Sequence, residues 1–366
     1  MTKNNQTTPK GWTEKSFQDC FSVAKKLSGI KKSEYGISGK FPVIDQGQNF
    51  ITAYSNDDKF VQDSLPSIVF GDHTRVIKYI NFSYILGNDG TKVFSAKNGY
   101  NLRFLYYLLS GLEIPNTGYN RHFKYLENES FRLPLDIKEQ QKIAEILGVV
   151  DEDIEKTEKV IEETEKLKRG LMRELLAKKD YKIGKFSDLV LIRNEKFDPK
   201  QNPSKKYIGL EHLGQNSGML LNFGESSETQ SLKSIFKKGD ILFGKLRPYL
   251  RKYWKAEFDG VCTTEILVFE PKIETDSNFI FQLIQTDGFI NASNSKSFGT
   301  KMPRTDWGII SKYRVCIPGP EERKEIGNIL SSFDNKIEIN KKLKDKLTSL
   351  KRGLMQDLLT GKVRTT

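Results

Sequence analysis

The stretch KEQQKIAEILGVVDEDIEKTEKVIEETEKLKRGLMRELLAKK at residues 138–179 returns as EERKEIGNILSSFDNKIEINKKLKDKLTSLKRGLMQDLLTGK at residues 321–362. An offset of 183 residues, from 138 to 321, pairs the two copies without a gap. Identical pairs include Ile143/Ile326, Leu147/Leu330, Asp151/Asp334, Ile154/Ile337 and the blocks beginning at Leu167 and Leu350 (Leu-Lys-Arg-Gly-Leu-Met). A duplication of this length sets the plan of the chain. Both copies read as helix. In the first, Val150, Ile154, Thr157, Ile161, Thr164, Lys168, Leu171 and Leu175 recur at steps of four and three, a heptad seam with polar breaks. In the second, Leu343, Leu347, Leu350, Leu354 and Leu358 mark the stripe. Asp136 and Glu139 after Pro134 predict a capping box. Gly148 predicts a break between a short helix and a long one. A helix over 151–179 would be ~43 Å long.

Between and before the copies the sequence changes character. Residues 1–133 hold short β-rich runs, at 41–44, 67–70 and 76–80, separated by Gly, Asn and Asp. Leu102, Leu105, Tyr106 and Leu109 then follow helical spacing behind Asn101, a suitable N-cap. Residues 180–317 repeat this programme. Ile241-Leu-Phe-Gly244 answers Ile68-Val-Phe-Gly71, Gly214-Gln-Asn216 answers Gly47-Gln-Asn49, and the helical run at 277–284 answers that at Asn101. The globular units resemble each other weakly and the helices strongly. One part is built to a common pattern while the other is free to differ. The boundaries read from this are 1–133, 134–179, 180–317 and 318–366.

The charge is distributed to match. Of a net charge of +12 over 366 residues, segment 1–133 has 17 Lys/Arg against 12 Asp/Glu, and 180–317 has 21 against 16. Both globular segments are basic, which suits a polyanion. The helical segments have opposite signs, 10 against 12 in 134–179 and 11 against 7 in 318–366, which suits their pairing. Cys20, Cys262 and Cys316 form no CxxC, and the first residues are polar. These features lead to the expectation of a reduced, cytoplasmic protein with no signal peptide and no membrane partner.

Catalytic patterns are thin. Residues 239–246 approach a phosphate-binding loop, but Leu246 stands where Ser or Thr is required and Ile-Leu-Phe reads as strand. Asp259 with Glu270 and Lys272 imitates the acid, acid-x-lysine layout of a metal-dependent nuclease, which leaves a stand-alone nuclease as one alternative. A scaffold for proteins other than DNA partners is the other. His73, His122 and His212 have no metal-ligand spacing, so no metal site is expected. No nucleophile elbow is present, and no Asn/Asp-Pro-Pro-aromatic tetrapeptide. Binding is favoured over catalysis.

Basic residues interleaved with amides and aromatics supply candidate DNA contacts, because Arg and Lys neutralise phosphates or read guanine while Asn and Gln read adenine. In the first unit these are Lys40, Gln48, Asn49, Arg75, Lys97, Arg121 and Lys124. In the second they are Lys205, Lys206, Gln215, Asn216, Lys245, Arg247, Arg251, Lys296, Lys301 and Arg304.

The whole chain resembles the specificity (S) subunit of type I restriction-modification systems. The most specific features are the two helix starts, at 133–147 and 317–330, each a Pro followed by acidic residues and an Ile. Arg323 departs from the family pattern, which has Gln there. The Lys-Arg-Gly-Leu-Met blocks and the loop Gly299-Thr-Lys-Met-Pro-Arg304 also fit. The resemblance implies an α+β fold with an internal pseudo-two-fold repeat: two mixed α/β target-recognition domains joined by two long antiparallel helices. Each domain would read one half of a split double-stranded DNA site, and the helices would act as a spacer. It implies two methylation subunits docked on the helices, with Ile143, Leu147, Ile154, Gly170, Leu171, Ile326, Leu330, Ile337, Gly353 and Leu354 as interface residues. Two restriction motor subunits would complete the complex. S-adenosylmethionine, ATP and Mg would belong to those partners, with no cofactor and no catalytic residue in this chain. The helical glycines, Gly170 and Gly353, are expected to allow close approach of the paired helix or of a partner helix.

Overall fold

Both copies of the repeat form single 39-residue helices, Ile137–Leu175 and Pro320–Leu358. The computed structural model describes residues 8–25, 28–87, 90–176, 180–200, 204–294 and 303–365. It divides into two compact units, and each helix gives one half to each. Unit 1 comprises residues 1–157 and 343–366, and unit 2 residues 158–342.

The units share one topology. In unit 1 an antiparallel sheet orders its strands Phe21–Val23, Thr91–Ala96, Ser67–Gly71, Ile77–Ile80. In unit 2 the order is Val190–Ile192, Ile266–Pro271, Ile241–Gly244, Tyr253–Lys255. A second sheet in unit 1 runs Ala53–Ser55, Phe41–Ile44, Tyr84–Leu86, Val61–Gln62, with the middle pair parallel. Its counterpart in unit 2 runs Gly224–Glu225, Lys206–Ile208, Gly260–Cys262, Lys233–Phe236, again with a parallel middle pair, plus the edge strand Lys196–Phe197. A two-stranded ribbon closes each unit, Trp12–Ser16 with Ser130–Pro134 and Lys182–Lys185 with Arg314–Ile317. The strands are rich in Ile, Val and Phe. Ile68, Val69 and Phe70, like Ile241, Leu242 and Phe243, are buried on both faces, so their runs are continuously apolar instead of alternating. The expected helix after Asn101 is present as Leu102–Ser110, and the Asn101 side chain accepts from the Phe104 N–H at 2.9 Å.

Each core draws on both long helices. Ile143, Leu147 and Leu358 join the Phe17, Phe94 and Phe104 cluster of unit 1; Ile326 and Leu330 join the Phe186, Phe269 and Phe279 cluster of unit 2. Burying one such Leu or Ile contributes about 2 kcal/mol. This corrects the expectation that Ile143, Leu147, Ile326 and Leu330 face a partner subunit. They pack each long helix into the core of its unit, and Ile337 is buried too. Ile154, Leu171 and Leu354 are half-buried.

Within each unit the two half-helices run antiparallel, and the repeat dictates the contacts. Lys168 Nζ lies 2.5 Å from Asp334 in unit 2, and Lys351 Nζ lies 2.5 Å from Asp151 in unit 1. The offset of 183 converts one pair into the other. Each aspartate also takes a hydrogen bond from the helix behind it, from Tyr107 Oη to Asp151 at 2.7 Å and from Gln282 Nε2 to Asp334 at 2.7 Å. Burial lowers the Lys168 pKa, against the opposing pull of Asp334.

Four local expectations need correction. Gly148 does not break the first helix. It is buried, and the space of a Cβ there is filled by the Arg103 guanidinium, 2.6 Å away. The capping box is half formed: Asp136 accepts from the Lys138 N–H at 2.9 Å, but Glu139 turns to Arg364 at 2.6 Å. The seam of the second helix is only part of the leucine stripe: Leu347, Leu354 and Leu358 turn inward, but Leu343 and Leu350 are exposed. The inward positions are those the offset generates from the first helix, among them Phe333, Ile337, Leu347, Lys351, Leu354 and Leu358. Last, Gly170 and Gly353 do not admit the paired helix: both are exposed, and a Cβ at either would meet nothing within 4 Å.

The anomalous Arg323 has a local cause. In unit 1 its equivalent, Gln140, accepts from the Asn101 N–H at 2.9 Å and donates to the Pro134 carbonyl at 2.9 Å. In unit 2 Arg323 donates to the Pro318 carbonyl and to the Asp276 carboxylate, both at 2.8 Å. Asp276 precedes its helix as Asn101 does. The pair Gln140–Asn101 has become Arg323–Asp276. Among the described residues, no helix is long and apolar enough to cross a membrane.

Candidate nucleic-acid interface

The hairpin that joins an inner strand to the edge strand of each first sheet, Ser67–Gly71 to Ile77–Ile80 and Ile241–Gly244 to Tyr253–Lys255, carries the clearest local signature. In unit 1 the turn closes with the Gly71 N–H donating to the Val76 carbonyl at 2.8 Å. In unit 2 the Gly244 N–H donates to the Lys252 carbonyl at 2.9 Å. The second turn is longer and carries Lys245, Arg247, Tyr249 and Arg251.

Two further loops join each turn. In unit 1 the His73 N–H donates to Gln46 Oε1 at 3.2 Å, and Thr74 Oγ1 donates to the Gln46 carbonyl. The His73 ring stacks on Tyr119 with centroids 4.4 Å apart. Lys78 Nζ reaches the carbonyls of Asp45 at 2.9 Å and Asn49 at 2.5 Å, and burial lowers its pKa. Residues 45–50, 71–76 and 114–122 thus form one cluster. In unit 2 the Asn216 N–H donates to the Arg251 carbonyl at 3.1 Å, the Arg247 N–H to the Pro303 carbonyl at 2.8 Å and the Thr305 N–H to the Lys245 carbonyl at 3.0 Å. Residues 209–218, 244–252 and 303–305 form the matching cluster.

Backbone strain concentrates here. Among the described residues four non-glycines have left-handed φ: Arg75 (65°), Asn216 (50°), Arg247 (51°) and Arg251 (51°). Such a conformation costs roughly 1–2 kcal/mol for a residue with a Cβ. All four are candidate DNA contacts from the sequence, and all four lie in these two clusters. Strain held at one place is a pointer to function. Arg247 Nε and Thr305 Oγ1 are also buried with no hydrogen-bond partner among the described residues.

The clusters gather Gln48, Asn49, Arg75 and Arg121 in unit 1, and Gln215, Asn216, Lys245, Arg247, Arg251 and Arg304 in unit 2. Several of these are already engaged: Lys245 Nζ donates to the Thr264 carbonyl at 2.6 Å, and Arg304 lies 3.2 Å from Glu265. Lys124 is exposed beside the unit 1 cluster, on the short helix Phe123–Glu127 whose first N–H donates to Asp72 at 2.8 Å. Other candidates are placed elsewhere. Lys97 Nζ is bound to the Gln18 carbonyl at 2.5 Å. Lys205 lies over the Phe197 ring at 4.6 Å and Lys206 over Phe258 at 4.3 Å. Lys40 bonds Asn56 through its backbone N–H at 2.8 Å. Lys296 and Lys301 lie outside the described residues. Sequence reasoning missed Tyr119, which is 80% exposed, and its stacking partner His73. An aromatic directly before the basic Arg121, inside the polar run Asn116-Thr-Gly-Tyr-Asn120, was the available signal.

The two acids of the nuclease layout are engaged by other residues. Glu270 lies 2.9 Å from Arg193, a guanidinium whose pKa is raised chiefly by its hydrogen bond to Asp240. Asp259 accepts from the Lys238 N–H at 2.8 Å. No group of three or more His, Cys, Asp or Glu among the described residues could hold a metal ion.

Known proteins agree with this architecture. The specificity subunit of the type I restriction enzyme MjaVIII of Methanocaldococcus jannaschii is 27% identical over 267 residues, 64% of this chain and 63% of that protein. The EcoDI specificity subunit of Escherichia coli is 25% identical over 183 residues, 49% of this chain and 40% of that protein. The matches therefore span less than two thirds of either relative. The crystal structure of the type I restriction-modification S subunit from M. genitalium superposes with a TM-score of 0.71 at 16% identity, covering 98% of both chains, which shows the same fold. The family model described as the type I restriction modification DNA specificity domain matches twice, over residues 9–166 and 178–349. The chain belongs to that family of type I restriction-modification DNA specificity proteins.

Proposed function

We propose that this chain is the DNA sequence-specificity subunit of a type I restriction-modification complex, each unit reading one half of a bipartite duplex target. One observation carries the reading above the rest. The same three-loop cluster is built twice on one topology, but from different side chains. Beside an Asn common to both, Asn49 and Asn216, the first is occupied by Gln46, His73 and Tyr119 and the second by Arg247, Tyr249 and Arg304. A duplicated catalytic site would need the same groups twice, whereas two readers of different base sequences need one scaffold and different edges.

In this reading the chain is non-catalytic and works in the cytoplasm. The long helices set the spacing of the half-sites and dock two methylation subunits. They keep Leu167 (55% exposed) and its equivalent Leu350 (51%) in solvent, together with Val149, Ile339 and Leu343. Exposed apolar side chains beside the open Gly170 and Gly353 suit a packed partner helix. S-adenosylmethionine would sit in the methylation subunits, ATP and Mg in two restriction motor subunits. The test is selection from random duplexes by the complex of this chain with its methylation subunits. The expected pool is enriched in one asymmetric motif split by an unspecified gap. A flat profile would end the proposal.

A further inference from the structure

Arg75 and Arg251 occupy the same place in the two hairpins. Each immediately precedes the residue whose carbonyl closes the turn, Val76 or Lys252. Each has left-handed φ, 65° and 51°. Each sends its guanidinium to a carbonyl in the segment leaving the helix behind the sheet. Arg75 Nη1 donates to Ile114 at 3.1 Å, beyond the helix Leu102–Ser110. Arg251 Nη1 donates to Gln285 at 3.0 Å, beyond the helix Ser277–Leu283. Arg251 Nη2 also pairs with Asp287. A left-handed position favours glycine. Two arginines at equivalent strained positions, each directed to a carbonyl just beyond the corresponding helix, are there for their side chains.

We propose that Arg75 and Arg251 are positioning residues for two equivalent reading hairpins and are not themselves DNA contacts. Each ties the base of its hairpin to the helix segment behind, and so aims the tip at the groove. The groups that differ between the tips, Asp72 to Thr74 in one and Lys245 to Tyr249 in the other, do the reading. This rests on the proposed function of the two clusters. It replaces the simpler view of both arginines as phosphate or base contacts. A positioning residue, a phosphate contact and a base contact leave different traces.

The experiment uses the complex with methylation subunits and measures affinity for the cognate site, for every single-base substitution in both half-sites, and across a salt series. For Arg251→Ala the expected result is an approximately tenfold loss of discrimination spread over several positions of one half-site. The other half-site is read as before, and the salt slope does not change. Arg251→Gly, which removes the backbone strain and the guanidinium together, should behave the same way. Arg75→Ala should do the same to the opposite half-site, and serves as the independent test if the Arg251 variants do not fold. A uniform loss with a salt slope smaller by about 1 would make the residue a phosphate contact and overturn the proposal. So would relaxation at one base position only, or full discrimination in Arg251→Gly. If the unaltered complex shows no split-site preference, the functional reading has failed, which is a separate outcome.

Discussion

Arg323→Gln is expected to destabilise unit 2 by about 3 kcal/mol, and Asp276→Asn added to it is expected to recover most of that loss. Arg323 is 7% exposed and Asp276 is 1% exposed. Their attraction only offsets the cost of taking both charges out of water, so the pair itself adds little. Removing one partner is different, because it leaves a carboxylate buried without its counter-charge. Glutamine cannot supply that charge. With asparagine at 276, both positions would carry the side chains unit 1 already uses: Gln140 accepts from the Asn101 N–H, and Asn101 caps its helix through Phe104. Denaturant unfolding followed by fluorescence of the unit 2 tryptophans, Trp254 and Trp307, measures the four members of this cycle. Simple additivity of the two changes would show that the substitutions are unrelated.

Glycines in the long helices are expected to respond with opposite signs. Gly327→Ala should destabilise by about 2 kcal/mol, because its Cβ would stand 2.6 Å from the Phe279 backbone nitrogen and 2.9 Å from Asn278 Cβ. The backbone of the helix Ser277–Leu283 would have to move. Gly170→Ala and Gly353→Ala add a Cβ to open space on exposed helix faces, and should stabilise the isolated chain by up to about 1 kcal/mol. The same urea titrations check both. Stabilisation by Gly327→Ala would contradict the close approach of these two helices. In the assembled complex, bulkier changes at Gly170 report on a partner: Gly170→Leu should weaken subunit assembly while leaving the free chain folded.

The repeat made the architecture readable from sequence, because a gapless offset over the two helices implies that contacts at positions shared by the copies have counterparts in the other. Asp151–Lys351 and Lys168–Asp334 follow from it. The leucines at 343 and 350 misled because they were read on their own: apolar spacing alone does not distinguish a face packed inside the chain from a face left open. Transferring the first seam through the offset would have found Phe333, Ile337 and Lys351. The interface residues Ile143, Leu147, Ile326 and Leu330 were misjudged for a related reason, since identity between copies marks a shared environment without saying which one. The candidate site was readable in composition but not in geometry. Arg75 and Arg251 stood out as basic residues near turns, yet nothing in their neighbours reveals left-handed backbone or an inward guanidinium. Lys205 and Lys206 looked like phosphate contacts, while their ammonium groups lie over aromatic rings, Phe197 for Lys205 and Phe223 and Phe258 for Lys206.

Two dissimilar readers in one chain is the claim on which the rest stands. Its most direct test maps methylated bases genome-wide in cells carrying the complex, first with this chain and then with one whose residues 244–252 are replaced by the shorter unit 1 turn 71–76. The first map should show a split motif absent from cells lacking the chain. The second should change or lose specificity in one half of that motif and leave the other half and its sequence intact. A motif in which both halves change together, or which persists unaltered, would contradict the account.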